Sequence, residues 1–185
     1  IVIIIKDNNC DILTETGKFF IEEITMDVNL LSKSFKVRRL NKRDIDMIYD
    51  LSCENKIFYQ YHPPFVTKES IEEDFDALPP NKSYQDKYYL GFFDGDILIA
   101  IIDLILSYPT KEIAFIGLFM TNIEYQNKGI GSNIIRDVCS YLKEIGYKRV
   151  RLGVDKGNPQ SYHFWIKNNF ETILENDYIL MEIEL

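Results

Sequence analysis

Side chains suited to redox or metal chemistry are scarce in this sequence. Its three cysteines, Cys10, Cys53 and Cys139, are odd in number and far apart. That pattern fits neither a disulfide framework nor zinc-ligand spacing, and it points to a reducing, cytoplasmic setting with no metal centre. Cys139 falls within a long helical pattern and reads as packing. The two histidines, His62 and His163, have no partner at metal-ligand spacing. Positive charge is also short: 21 Lys and Arg against 29 Asp and Glu leave a net charge of −8. Such a balance disfavours a nucleic-acid surface and suits small or cationic partners. Long apolar runs are absent as well. Ile1-Val2-Ile3-Ile4-Ile5 stops at Lys6-Asp7. This is well short of the ~20 residues of a membrane span and of a signal peptide's apolar region, so it reads as a strand and no membrane partner is expected.

What is present is ordinary for one globular domain: 185 residues, 46% hydrophobic and 27% charged. Residues 1–33 read as an N-terminal extension of short strands, with Asn8-Asn9 as a turn and Phe19-Phe20-Ile21 as a strand. The extension is a hairpin, an edge strand or a contact in a homodimer. Residues 34–185 carry the main domain. There, Phe35, Val37 and Leu40 mark a short strand, and Asn41 caps a helix with Ile45, Ile48, Tyr49 and Leu51 at helical spacing. Pro63-Pro64 is expected to keep the aromatic stretch 58–65 from being helical. Its rings either line a pocket or pin the loop to the core, and His62 reads as a hydrogen-bonded loop residue. A second helix starts at the cap Thr67 and ends before Pro79-Pro80.

Asp94-Gly95 predicts a two-residue hairpin turn between strands 88–93 and 97–106. Residues 111–121 form a central strand, with Ala114, Ile116, Leu118 and Met120 on one face and Phe115 and Phe119 on the other. A helix follows, carrying Ile130, Ile134, Ile135, Val138, Tyr141, Leu142 and Ile145, and Gly146 stops it. Val150, Leu152 and Val154 then make a strand parallel to the one before the helix. Asn158-Pro159 starts a helix over 160–168, and two strands finish the chain.

Between the central strand and the long helix lies Gln126-Asn127-Lys128-Gly129-Ile130-Gly131-Ser132. Two glycines spaced by one residue let the backbone turn tightly and come close to a bulky anion. The helix N-terminus behind them offers unpaired amides and a positive dipole end to a phosphate. By itself a G-x-G here is also compatible with a tight connection. The third glycine of a dinucleotide fingerprint is missing, as is the Gly-Lys-Ser/Thr ending of a P-loop. Lys128, Arg136, Lys156 and Lys167 lie in or beside the segments that would meet a polyanion.

The loop resembles Q/R-x-x-G-x-G/A, the pyrophosphate loop of the GNAT superfamily of acetyl-CoA-dependent N-acetyltransferases. About thirty residues on, Asn158 to Phe170 is similar to that family's N-x-x-A-x-x-x-Y-x-x-x-G-F helix. Asn158 and Phe170 match, while Ser161 replaces alanine, Trp165 replaces tyrosine and Asn169 replaces glycine. The resemblance covers residues 35–185. It implies an α/β (α+β) fold with a mixed, mostly antiparallel sheet, a parallel splayed strand pair and helices on both faces. It further implies direct transfer of an acetyl group from acetyl-CoA to a small-molecule or peptide amine in a ternary complex. Backbone amides of Phe119, Met120 and Thr121 would bind the pantetheine arm, and residues 126–132, from Gln126 through Asn127, Lys128, Gly129, Ile130 and Gly131 to Ser132, would hold the pyrophosphate. Asn158 and Trp165 would complete the cofactor site.

An ammonium acceptor has a pKa of about 10.4 and needs a base. The carboxylate that some relatives carry in the middle of the central strand is missing here. Asp103, Glu112 and Asp155 remain, and Asp155 is favoured because it follows the strand where the splay should open. With Trp165 in place of tyrosine, Tyr162, three residues earlier on the same helix, is the candidate acid for the leaving thiolate. Two rival readings stay open on the residues alone: a non-catalytic acyl-CoA-binding regulatory module, and a nucleotide-binding regulatory domain.

Overall fold

The computed structural model describes residues 26–185, so the strands expected in the first 25 residues lie outside the described residues. The chain enters through a 3-10 turn, Val28–Leu31, capped by Asp27. It is fastened to the body where the Asp27 amide donates to Tyr141 Oη at 2.9 Å. Seven strands follow in the spatial order β1-β2-β3-β4-β5-β7-β6. They are β1 (Lys36–Arg39), β2 (Lys87–Asp94), β3 (Ile97–Ile105), β4 (Ile113–Thr121), β5 (Arg149–Asp155), β6 (Glu171–Glu175) and β7 (Tyr178–Glu184). Every neighbouring pair is antiparallel except β4 with β5. The helices are α1 (Ile45–Cys53), α2 (Lys56–Tyr61), α3 (Lys68–Asp76), α4 (Ile130–Glu144) and α5 (Pro159–Lys167).

Amphipathic helices cover both faces of the sheet because β2 and β3 are apolar on both. On one face, Ile134, Val138 and Leu142 of α4 and Trp165 of α5 pack over Phe92, Leu104, Ile116 and Leu152. On the other, Ile48 and Leu51 of α1 and Ile71 of α3 pack over Tyr89, Ile101 and Met120. Local signals place these helices. Thr67 and Ser70 form a reciprocal capping box at the start of α3, and Asn158 caps α5 with Pro159 in its first turn. Asn169 closes α5 at φ +65°.

Three expectations need correction. Residues 56–61 form a helix, α2, despite Pro63-Pro64. Proline restrains the residue before it and lacks its own N–H, so it has no hold on a turn that ends at Tyr61. Asp94 pairs with Ile97, which makes Gly95-Asp96 the two-residue turn. The third correction concerns β4. Asp103 opposes Leu118 while Leu104 opposes Ile116, so Gly117 is the extra residue of a β-bulge. A bulge reverses the side-chain alternation beyond it. Phe119 therefore joins Ala114 and Ile116 in the core beneath α4, whereas Leu118 and Met120 turn to the core beneath α1 and α3.

Parallel pairing of β4 with β5 runs only from Ile113 and Arg149 to Ile116 and Leu152. Beyond the bulge the two strands separate. Their outer edges stay held, since β4 pairs with β3 as far as Thr121 and β5 pairs with β7 as far as Asp155. A wedge-shaped gap results.

Away from that gap, the sheet buries one ion pair, Lys87 Nζ to Asp103 Oδ2 at 2.8 Å, with side-chain exposures of 4% and 0%. Lys87 also donates to the Ala77 carbonyl at 3.0 Å. Burial pushes the Asp103 carboxyl up to about 6 against the opposing pull of Lys87. A carboxyl whose pKa is raised by folding favours the folded state most below its unfolded value. That contribution is lost as pH rises through about 6. Lys87→Met leaves the carboxylate buried and unpaired, and is expected to cost ~3–5 kcal/mol in urea unfolding at neutral pH. Adding Asp103→Leu restores stability to the wild-type level or above; an unaltered midpoint in the single variant would contradict this account.

Candidate active site

The segment between β4 and α4 is built around left-handed backbone. Asn122 caps a 3-10 turn over Ile123–Tyr125, Asn127 sits at φ +57°, and Gly129 at φ +78° is the N-cap of α4. The first intrahelical bond runs from Asn133 N to Gly129 O at 3.0 Å. The amides of Ile130, Gly131 and Ser132 are thus the donors that helix geometry leaves without an intrahelical acceptor. The two glycines serve different needs. A Cβ on Gly129 would meet nothing within 4 Å, whereas one on Gly131 would lie 3.2 Å from Phe164 Cε2 and 3.3 Å from Thr121 Oγ1. Gly129 supplies the turn, and Gly131 lets α4 approach α5 and β4.

Beside this loop opens a cleft of about 410 Å³. It brings together Phe119, Met120, Thr121, Gln126, Asn127, Gly129, Gly131, Ser132, Asn158 and Trp165, all expected to hold the cofactor. Two others stand aside. Ile130 turns its side chain into the core, and the Lys128 ammonium sits 5.9 Å from the Tyr125 ring centroid. Lys167 lines the cleft and supplies positive charge. Gln126 proves to be a clamp: its Nε2 donates to Thr121 O at 3.0 Å and to Asn55 Oδ1 at 2.7 Å. Asn55 Nδ2 also donates to Thr121 O, at 3.2 Å. The junction of α1 and α2 is thereby tied to the end of β4.

A second, smaller space in the gap between β4 and β5 adjoins the cleft, with Phe58, Phe119, Ser161 and Trp165 lining both. Phe119 stacks on Phe164 with ring centroids 5.7 Å apart, and Trp165, 5% exposed, packs edge-on against Phe164 and Phe170. At the inner end lies a pair that nothing local in the sequence announced. Nδ1 of His62 is 3.0 Å from both carboxylate oxygens of Asp155. His62 and Asp155 are only 6% and 9% exposed. Of the other candidate bases, Asp103 is engaged by Lys87 on the far part of the sheet, and Glu112 is exposed ahead of β4. Tyr162 packs against the core and lines neither space.

These residues fit a long anionic ligand with an extended arm. Gly129→Asp puts a carboxylate at the loop without a clash, although φ +78° costs a non-glycine residue ~1–2 kcal/mol. Two like charges ~4 Å apart near a surface repel by several kcal/mol. Acetyl-CoA affinity measured by calorimetry is therefore expected to fall by tenfold or more in a variant whose circular dichroism matches wild type. Unchanged affinity would remove the loop from the site.

The model of the acetyltransferase (GNAT) family matches residues 45–170, well over half of the chain. A relative, spermidine N(1)-acetyltransferase of Thermoplasma acidophilum, is 25% identical over 146 residues, covering 75% of this chain and 89% of that protein. Among solved structures, an acetyltransferase from Thermus thermophilus superposes with a TM-score of 0.71 at 17% identity, over 82% of this chain and 97% of that one. PaiA N-acetyltransferase from Thermoplasma acidophilum, solved in complex with coenzyme A, gives a TM-score of 0.61 at 22% identity, over 82% and 99%. The loop, the splayed pair and the family match agree: the chain belongs to the GNAT family of acetyltransferases and is an acetyl-CoA-dependent N-acetyltransferase.

Proposed function

We propose that the enzyme transfers the acetyl group directly to a primary amine bound beside acetyl-CoA in a ternary complex. The observation that carries this is that the cleft and the gap between β4 and β5 adjoin, sharing Phe58, Phe119, Ser161 and Trp165 as lining. The anion-binding loop lines the cleft, and a buried histidine and carboxylate line the adjoining gap. The pyrophosphate rests on the amides of residues 129–132, with Asn127 and Ser132 at its rim. The pantetheine arm lies along Phe119, Met120 and Thr121 as an added strand, with Trp165 against it. A β4 amide facing the gap polarises the thioester oxygen, where charge develops on attack; removing such a donor typically costs ~3–4 kcal/mol.

An acyl-enzyme route through cysteine needs a thiol at the site, and neither described cysteine lines the cleft or the gap. Cys53 is the last residue of α1, and burial pushes the Cys139 thiol up to about 12. Tyr162 lines neither the cleft nor the gap and delivers no proton. Thiolate leaves without an acid.

For the acceptor class, an aliphatic polyamine has the best support. A relative is named for spermidine, and the net charge of −8 favours a cationic substrate. Thiol release assayed over a panel of polyamines, amino acids and peptides is expected to be fastest with polyamines. Initial velocities should give intersecting double-reciprocal lines. Parallel lines would contradict direct transfer, and release with peptides alone would contradict the acceptor class.

A further inference from the structure

We propose that His62 is the general base of the transfer, and that Asp155 positions it. The inference rests on the acetyl-transfer reading above and assigns a residue to its proton step. An ionised carboxylate only accepts hydrogen bonds, so the contacts of 3.0 Å from Asp155 place the proton of a neutral His62 on Nδ1. Nε2 is then left with a lone pair. That atom is buried and has no hydrogen-bond partner among the described residues. A buried polar atom without a partner costs ~1–3 kcal/mol, a cost expected where a substrate group supplies the missing bond.

The position of the ring matches the role. His62 lines the gap between β4 and β5 together with Phe119 and Trp165. It also lines a narrow space between α2, α3 and β2. The imidazole therefore borders both the gap and the packed space beneath α2 and α3. Phe58 holds it from the side, with ring centroids 5.1 Å apart. The titratable groups facing it from each packed element are Asp155 of β5, Tyr59 of α2, Asp74 of α3 and Tyr89 of β2. Burial pushes the Tyr59 phenol up to about 12 and the Tyr89 phenol well above its ordinary value. Both stay protonated at neutral pH, so neither phenol competes with the imidazole for the proton. No carboxylate lies on β4 between Ile113 and Thr121 to compete for the task.

In the step itself, Nε2 takes one proton from the acceptor ammonium and becomes imidazolium beside the Asp155 carboxylate. The freed nitrogen lone pair forms the C–N bond at the thioester carbonyl. The C–S bond then breaks, its electron pair goes to sulfur, and the second nitrogen proton ends on that sulfur as free thiol. The imidazolium returns its proton to solvent, so the net reaction releases one proton per amide formed.

Two variants of the full chain test this, His62→Gln and Asp155→Asn, each with acetyl-CoA binding measured beside turnover. His62→Gln is expected to lose kcat by ~10²–10⁴-fold with acetyl-CoA affinity retained. Its acid limb in the pH profile of kcat should be replaced by a rate that climbs with the free-amine fraction. Asp155→Asn is expected to lose less and to move the acid limb to lower pH, with Asp155→Glu recovering part of both. In wild-type enzyme, nitrogen NMR of His62 gives a readout independent of the variants. It should show the Nδ1–H tautomer, with Nε2 unprotonated, at neutral pH. A His62→Gln variant that turns over within a few-fold of wild type, or an Nε2–H tautomer of His62, would overturn the assignment and leave acetyl transfer standing. Absence of thiol release by the wild type would overturn both.

Discussion

Pairing between β4 and β5 ends after Ile116 and Leu152, and the site follows from that interruption. Beyond it, two strand edges inside the fold lack each other's N–H and C=O groups, which buried backbone rarely tolerates without another partner. An extended ligand arm with its own amides is such a partner. The bulge at Gly117 shapes the gap as well as opening it. By reversing the alternation it turns Phe119 toward α5, where the ring stacks on Phe164 and borders Trp165. Phe58, Phe119 and Trp165 therefore line the gap, and oriented backbone donors act most strongly on developing charge where water is excluded.

Rigid surroundings keep the gap from closing. β3 and β7 hold the outer edges, and the Asn55 and Gln126 amides fasten the last carbonyl of β4 to the start of α2. That tie links the cofactor side to the helix that delivers His62. A shift of α2 would move the imidazole and the end of β4 together, so the placement of the reacting groups depends on a few short hydrogen bonds between distant segments.

Much of this was legible in the sequence where the demand is local. The glycine loop, the Asn158 cap, the stop at Gly146 and the left-handed Asn169 each follow from backbone needs that one or two residues declare. The antiparallel pair of β2 with β3 and the parallel pair of β4 with β5 came with them. The bulge was hidden because residues 113–120 are apolar throughout apart from Gly117, so a slip of one position leaves the pattern looking the same. Pro63-Pro64 hid α2, because its influence was extended to a turn that ends before it. His62 and Asp155 stand 93 positions apart, and Asn55 and Gln126 stand 71 apart. Only tertiary contact joins such pairs, and no spacing rule announces them.

The most direct test of the central claim is a crystal structure of the enzyme with coenzyme A. The account predicts the pantetheine arm in the gap beyond Ile116 and Leu152, hydrogen-bonded to β4 amides, with the pyrophosphate on the amides of residues 129–132. Coenzyme A bound elsewhere, with β4 and β5 paired through to Thr121 and Asp155, would contradict it.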